Sequence, residues 1–145
     1  MPVKMKDYPN GLICQKGAFL CSQSSVKLEV AFSRKFSAGL FGGEGFILQK
    51  LSGNGTAFLE VNGGVVEKEL KPGEIIKLDT GNVVDFQEGM AYEIETVSGF
   101  KNILFGGEGL FLTRLTGPGK VILQTQNIKE FASILSGYLP SRNNM

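Results

Sequence analysis

Two glutamates in a repeated hexapeptide are the residues of this chain whose type and spacing could support chemistry. The sequence LFGGEG begins at Leu40 and again at Leu104, so Glu44 and Glu108 occupy matching positions. If the two copies met near a pseudo-twofold axis, the carboxylates could bind a cation or exchange protons. A calcium ion would need about six to eight oxygen ligands, and no Asp-rich loop accompanies either glutamate. We therefore favour a structural role, in which each glutamate accepts hydrogen bonds from the backbone amides of a tight corner.

Glycines and apolar residues complete both copies of this motif. Glycine adopts backbone conformations that other residues avoid, which suits a sharp corner. Besides the glutamates, the predicted turn residues are Gly42, Gly43, Gly45, Gly106, Gly107 and Gly109. The apolar residues before the turns are Leu40, Phe41, Leu104 and Phe105. These four are either buried where two halves of the protein meet, or they form a contact surface for an oligomer or a membrane.

Several classes of enzyme are excluded by what the chain lacks. Histidine is absent, which removes mechanisms that use imidazole as a base, a triad member or a metal ligand. No glycine-rich segment fits the phosphate-binding pattern GxxxxGK(S/T). The other acids are interleaved with lysines and indicate a solvated strand face; they are Glu67, Glu69, Glu74, Asp79 and Asp85. The sequence therefore predicts a protein that is not an enzyme, with no catalytic residue, metal or cofactor.

The composition indicates an ordinary globular protein without the broad positive field of a typical nucleic-acid-binding protein. The net charge is +1 over 145 residues, which is too small to attract a polyanion. No apolar stretch approaches the roughly 18 residues of a membrane-spanning helix, and the first ten residues contain no signal-peptide core. Cys14 and Cys21 form no metal or redox motif. We expect two buried, reduced thiols in a cytoplasmic protein.

The elements that must position these residues are short strands. Apolar and polar residues alternate along 26–33 and 92–96, and a period of two indicates a strand with one buried face. Further strands are predicted at 12–15, 18–22, 46–48, 56–62, 65–70, 75–79, 83–87, 110–112 and 120–125. Glycine, proline and asparagine separate these segments and favour turns. The pattern predicts an all-β fold of the sandwich or barrel type.

The repeat extends beyond the hexapeptide and predicts two similar units. The twenty residues from Leu40 match the twenty from Leu104 at 11 positions. A repeat of this length indicates one structural unit used twice. We interpret residues 1–145 as a single all-β domain, with a repeat at 11–61, a connection at 62–74 and a second repeat at 75–125.

One helix is predicted, over about 127–136. Asn127 is suited to cap its N-terminus, Glu130 fits a capping box, and Gly137 ends the apolar pattern. The residues on its apolar face are Ile128, Phe131, Ile134 and Leu135. We expect this stripe to pack on the sheet, with a partner-binding helix as the alternative.

Four segments resemble the altered-inheritance-of-mitochondria family, member twenty-four, which is also described as tryptophan RNA-binding attenuation protein-like. They are QKGAFL at 15–20, GLFGGEGFILQKLSGNGTAFL at 39–59, ELKPGE at 69–74 and LFGGEGLFLTRLTGPG at 104–119. The resemblance runs from about Pro9 to Ile134 and covers the C-terminal two-thirds of the family pattern. It implies a double-stranded β-helix, or jelly-roll-like, fold built from duplicated units.

The resemblance implies less about function. Mitochondrial members are tied to inner-membrane organisation rather than catalysis, and the likeness to the attenuation protein is one of fold, which does not carry function. Our leading hypothesis is a homo-oligomeric scaffold or binding module. One alternative is a peripheral membrane organiser that acts through the Leu-Phe-Gly-Gly loops. The other is binding of RNA or of a small ligand, whose identity the sequence does not give.

Overall fold

Antiparallel strands build most of this chain, and one short helix follows them. The computed structural model describes residues 1–34, 46–96 and 111–139. In these ranges the elements are β1 (Pro2–Lys4), β2 (Leu12–Gln15), β3 (Phe19–Ser22), β4 (Val26–Arg34), β5 (Phe46–Gly53), β6 (Thr56–Leu59), β7 (Val65–Leu70), β8 (Ile75–Asp79), β9 (Val83–Gln87), β10 (Ala91–Thr96), β11 (Phe111–Thr116), β12 (Gly119–Gln124) and α1 (Ile128–Tyr138). The predicted all-β fold with one C-terminal helix is confirmed.

The described strands form three sheets. The largest has six strands in the order β4-β5-β2-β9-β12-β7, and the smaller sheets have the orders β1-β6-β3 and β10-β11-β8. All of these pairings are antiparallel. Many neighbours in the sheets are distant in the sequence, so the fold depends on long-range pairing.

Two sets of strands make the same pairings. When the chain is aligned with itself so that Leu104 matches Leu40, which we call the repeat alignment, β2, β3, β4, β5 and β6 correspond to β8, β9, β10, β11 and β12. The order β4-β5-β2 has its counterpart in β10-β11-β8, and β1-β6-β3 has its counterpart in β7-β12-β9. One further pairing, between β2 and β9, joins strands of the two sets into the six-stranded sheet. We call this pairing the junction.

The six-stranded sheet lies between two apolar cores. Along β2, Leu12 and Cys14 belong to the first core, whereas Ile13 belongs to the second. The first core also contains Val3 of β1, and the second contains Leu115 of β11. Because successive side chains of a strand point to opposite faces, β2 is covered on both sides. This explains why three consecutive apolar residues are buried there.

The apolar stripe of α1 is exposed, and the expectation that it packs on the sheet is wrong. Its large apolar side chains, together with the residue that follows the helix, are each at least 40% exposed: Ile128, Phe131, Ile134, Leu135, Tyr138 and Leu139. The helix begins next to the end of β8, because the Asn127 side-chain amide donates to Asp79 Oδ1 at 2.9 Å. Amphipathic spacing predicts that one face is suited to burial, but it does not say which surface covers that face.

Part of the predicted buried face of strand β4 is also exposed. The alternation along 26–33 predicts one buried face, and Val26 is buried in the first core. Leu28 and Val30, on the same face, are exposed. The alternation therefore identifies the strand correctly, but the first core covers only its beginning, and Phe32 packs against the second core after a register shift.

Leu51 and Leu28 lie opposite each other on β5 and β4 and provide a matched test of the first core. Leu51 is fully buried, whereas Leu28 is 44% exposed. We expect Leu51→Ala to lower the free energy of unfolding by about 2–5 kcal/mol, because the truncation leaves a cavity. Leu28→Ala should lower it by less than about 1 kcal/mol. Urea denaturation measures both losses, and equal losses would contradict this assignment of the core.

Candidate functional site

A buried carboxylate lies at the junction. Asp85 of β9 has no solvent exposure, and it lies opposite Cys14 of β2 and Ile122 of β12. The Tyr8 hydroxyl donates to Asp85 Oδ1 at 3.1 Å. Asp85 Oδ2 has no hydrogen-bond partner among the described residues. The prediction that Asp85 belongs to a solvated strand face is therefore wrong.

The local sequence contains a signal for this burial. Asp85 stands inside the apolar run Val83-Val84-Asp85-Phe86, and all four residues are buried. Alternation along β9 directs Phe86 into the second core and Asp85 to the opposite face. An acid within such a run occupies a core position of a strand that is covered on both sides.

Gln49 lies in the same cross-strand row of the six-stranded sheet as Asp85. Gln49 of β5 lies opposite Cys14, and Cys14 lies opposite Asp85, so the three side chains share one face. We call Gln49, Cys14 and Asp85 the junction row. In the described ranges, the buried side-chain atoms without a hydrogen-bond partner are Gln49 Oε1 and Asp85 Oδ2. These two oxygen atoms belong to the residues on either side of Cys14. The buried polar atoms that lack a hydrogen bond are therefore concentrated at the junction.

Burial dominates the electrostatics of this row. It raises the pKa of Asp85 from 3.8 to about 7, against the opposing effects of the Tyr8 hydrogen bond and the Lys120 charge, while the Glu67 charge adds to the rise. Burial, and secondly the Asp85 charge, raises the pKa of the Cys14 thiol to about 12. Cys14 is therefore a protonated thiol at neutral pH and a poor nucleophile. Asp85, in contrast, gains or loses a proton near neutral pH.

Lys120 connects the buried carboxylate to the protein surface. Its Nζ lies 5.6 Å from the centroid of the Tyr8 ring and 3.0 Å from a carboxylate oxygen of Glu67. The hydrogen bond to Glu67 raises the pKa of Lys120, so this side chain stays cationic. The cation lies within reach of a cation–π contact with the ring whose hydroxyl binds Asp85. From the surface to the core, the order is therefore the ion pair of Lys120 with Glu67, then the ring of Tyr8, and then the buried carboxylate of Asp85.

The junction row has no room for a substrate. Cys14 and Asp85 are buried, and the cavity of about 10 Å³ beside β2 lies on the other face of the sheet, where it is lined by apolar side chains such as Leu48, Phe86 and Ile94. Such a volume suits about one water molecule, whereas small-molecule sites measure roughly 300–1,000 Å³. Residues 1–34, 46–96 and 111–139 also contain no cluster of three or more Cys, Asp or Glu residues that could hold a metal ion. This geometry can hold a proton in the core, but it does not admit a reactant.

The residues of the repeated hexapeptide lie outside the described ranges. This applies to the predicted turn residues Gly42, Gly43, Glu44, Gly45, Gly106, Gly107, Glu108 and Gly109. It applies equally to the predicted contact residues Leu40, Phe41, Leu104 and Phe105. The two copies precede the corresponding strands β5 and β11. Their roles as corners or contact surface stay predictions.

The two cysteines differ in accessibility. Both thiols are free; Cys14 is buried and Cys21 is exposed. The expectation of two buried thiols is right for Cys14 and wrong for Cys21. Cys21 lies on β3, at the edge of a three-stranded sheet, so it offers a reactive group on that edge.

Asp85 should make the protein less stable as the pH rises. Between about pH 4 and pH 7 the folded chain binds a proton at Asp85 that the unfolded chain has lost, so the free energy of unfolding falls over this range. The difference between a pKa of 3.8 and one of about 7 corresponds to roughly 4 kcal/mol. Asp85→Asn keeps a carbonyl acceptor for Tyr8 and should remove this loss. Urea denaturation at several pH values from 4.5 to 8 measures the effect.

The control for this prediction is Glu60→Gln, which changes an exposed acid. We expect Glu60→Gln to follow the wild-type pH profile, while Asp85→Asn becomes more stable than the wild type above pH 7. The gap between Asp85→Asn and the wild type should narrow as the pH approaches 4. Parallel profiles for all three proteins would show that Asp85 does not titrate in this range.

Comparisons with known proteins agree with the sequence resemblance. A model of the mitochondrial biogenesis AIM24 family matches residues 1–126. An uncharacterised protein of Streptococcus pyogenes serotype M6 is 30% identical over 129 residues, which are 88% of this chain and 51% of that protein. The chain thus spans about half the length of this curated relative.

A solved structure shares the fold. The crystal structure of a Streptococcus pyogenes protein from a structural genomics consortium matches with a TM-score of 0.73 and 24% identity. The likeness covers 96% of this chain and 59% of that one, and at this identity it concerns the fold alone. The family model, in contrast, covers most of the sequence. This chain belongs to the mitochondrial biogenesis AIM24 family.

Proposed function

We propose that this protein acts without catalysis, as a self-associating β-scaffold. The observation that carries the proposal is its exposed apolar surface. Among the described residues, thirteen large apolar side chains are at least 40% exposed. Six of them are neighbours on α1 and the residue that follows it, and a contiguous exposed apolar patch of this kind marks an interaction surface. We further propose that the protein consists of two copies of one β-unit, as in a double-stranded β-helix, which the matched pairings of the two strand sets support.

Helix α1 presents the longest apolar part of this surface. Its residues Ile128, Phe131 and Leu135 follow the spacing of one helical face. The helix carries one cation and one anion, Lys129 and Glu130, so its charges favour neither a basic nor an acidic partner. A second copy of the chain supplies an equally apolar and nearly neutral surface, and identical subunits are the commonest partners in soluble assemblies.

The junction row favours a structural role over an enzymatic one. Its carboxylate has no exposure, and burial keeps the pKa of the Cys14 thiol far above neutral pH. A catalytic acid or nucleophile must reach its substrate, and the cavity beside β2 is too small for one. These properties support a protein whose activity lies at its surface.

Membrane and RNA binding are weaker proposals. No helix in the described part of the chain is long and apolar enough to cross a membrane. Interfacial helices bind anionic lipid through several basic residues on the polar face, whereas α1 has one lysine and one glutamate. A net charge of +1 gives little electrostatic attraction for RNA.

Light scattering behind size exclusion tests self-association. We expect a mass that is a multiple of 15.7 kDa at micromolar concentrations. Phe131→Ser combined with Leu135→Ser should lower this mass, because the change makes the exposed stripe polar. Circular dichroism should stay unchanged, since both side chains are at least 40% exposed. A wild-type protein that is monomeric at all of these concentrations would contradict the proposal.

A matched control changes the polar side of the same helix. Ser133→Ala combined with Ser136→Ala also alters two positions of α1, but leaves the apolar stripe intact. This variant should keep the wild-type mass. Sedimentation with neutral and anionic lipid vesicles separates the membrane alternative, because binding to vesicles by a monomeric protein would favour a membrane organiser over a scaffold.

A further inference from the structure

The strands that correspond to the junction strands have open edges. In the repeat alignment, β8 corresponds to β2, and β3 corresponds to β9. Whereas β2 and β9 pair with each other, β3 and β8 each end a three-stranded sheet, with one partner strand among the described residues. The burial differs accordingly. Nearly all residues of β2 and β9 are buried, but Ile75 of β8 is 49% exposed and Leu20 of β3 is 57% exposed.

We propose that β8 of one copy pairs with β3 of a second copy. This contact between molecules would have the same strand pairing as the junction between β2 and β9 within one molecule. The inference rests on the self-association proposed above and identifies the surfaces that meet. Within the chain, the junction places Leu12, Ile13 and Cys14 opposite Gln87, Phe86 and Asp85. The equivalent register between copies places Ile76, Lys77 and Leu78 opposite the partner's Gln23, Ser22 and Cys21.

The fold prevents these two edges from meeting within one molecule. Phe19 of β3 packs against the first core, whereas Ile76 and Leu78 of β8 pack against the second. The two cores contact opposite faces of the six-stranded sheet, so this sheet separates β3 from β8. The pairing must therefore be head to tail between copies. Such contacts close into a ring or continue as a filament.

The residue types of the edge strands favour β3 as the edge that pairs with a strand of another copy. Natural sheets protect free edges with charged residues, proline or bulges. Among the edge strands of the described sheets, β3 (Phe19–Ser22) contains neither a charged residue nor a proline. It does have an irregular register with β6 between Phe19 and Cys21, but β9 has the matching irregularity with β12 and still pairs with β2. The other edge strands carry Pro2, Lys27, Glu67, Lys77 and Glu93. β3 therefore lacks the charges that discourage pairing at the remaining edges.

The charge on β8 does not oppose the contact. Lys77 forms an ion pair with Glu95 of β10, and β10 lies on the far side of β11 from β8. The ammonium group is thus directed across its own sheet and away from the open edge. Helix α1 begins beside the end of β8 through the Asn127 contact with Asp79. A copy paired with β8 would therefore approach the exposed apolar helix as well.

A disulfide between copies tests the register. Directly opposed residues of an antiparallel pair have Cβ atoms about 4.5–5.5 Å apart, close to the spacing of a disulfide. In Leu78→Cys, oxidised glutathione should link the new thiol to the partner's Cys21 and release reduced glutathione. We expect covalent dimers and higher multimers on non-reducing gels, with a peptide joining residues 21 and 78 in mass spectrometry.

Two variants control this experiment. Lys77→Cys places the thiol on the other face of β8 and should give little linkage to Cys21. Leu78→Cys combined with Cys21→Ser should lose the 21–78 linkage. Since Cys14 is buried, it should contribute no linkage in any variant. Equal linkage from positions 77 and 78, or none from 78, would overturn the proposed register.

A second test avoids any change to the half-buried Leu78. Leu20→Lys introduces a charge on the exposed edge of β3 and should reduce the assembly to monomers in light scattering. Leu28→Lys makes the same change on the edge strand β4 and should leave the mass unchanged. An assembly that shows no 21–78 linkage and survives Leu20→Lys would overturn this pairing while leaving self-association in place. A wild-type monomer would overturn both.

Discussion

The pairing of β2 with β9 is the interaction on which the rest of this structure depends. It joins two sets of three strands into the six-stranded sheet through three residue pairs, from Leu12 with Gln87 to Cys14 with Asp85. Both apolar cores use it, because side chains of β2 alternate between them. So few backbone pairs give limited stability by themselves. The junction holds mainly because its side chains are covered on both faces, so the two cores and the central sheet stabilise one another.

Asp85 occupies this junction although its burial opposes the charged form. The residue that matches it in the repeat alignment is Cys21, which is exposed, so a buried polar group at this place is not a feature of both strand sets. Tyr8 explains how Asp85 is accommodated, since its hydroxyl binds the carboxylate from 77 residues away. A slip of one residue between β2 and β9 would turn Asp85 toward the second core and away from Tyr8. The hydrogen bond therefore favours the observed register as well as satisfying an oxygen atom.

Alternation and turn residues predict the strands of this chain better than they predict what surrounds each strand. The bounds of β7, β8 and β9 agree with the predicted segments 65–70, 75–79 and 83–87, because alternation and turn residues are local signals. Strand β1 is not predicted by the sequence, since the three residues Pro2–Lys4 are too few to show a period. Which strands pair depends on contacts between distant residues, and alternation carries no information about the partner. The same limit explains the wrong predictions for Asp85 and for α1. The local patterns identify the strand and the helix, but the tertiary fold decides which surfaces cover their side chains.

The second strand set ends in a helix at the place where the first set continues into a strand. After β6 the chain continues into β7, which pairs with β12 as β1 pairs with β6. At the corresponding place after β12, the chain forms α1 instead of a strand. A helix satisfies its backbone hydrogen bonds internally and cannot add to a sheet edge. The open edge of β8 is a separate feature, because the strand that pairs with β2 is β9 and not β7; among the described strands, β8 pairs with β11 alone. The free edge of β8 and the exposed stripe of α1 nevertheless lie side by side, since Asn127 contacts Asp79, which makes their coverage by one partner the simplest way to bury both.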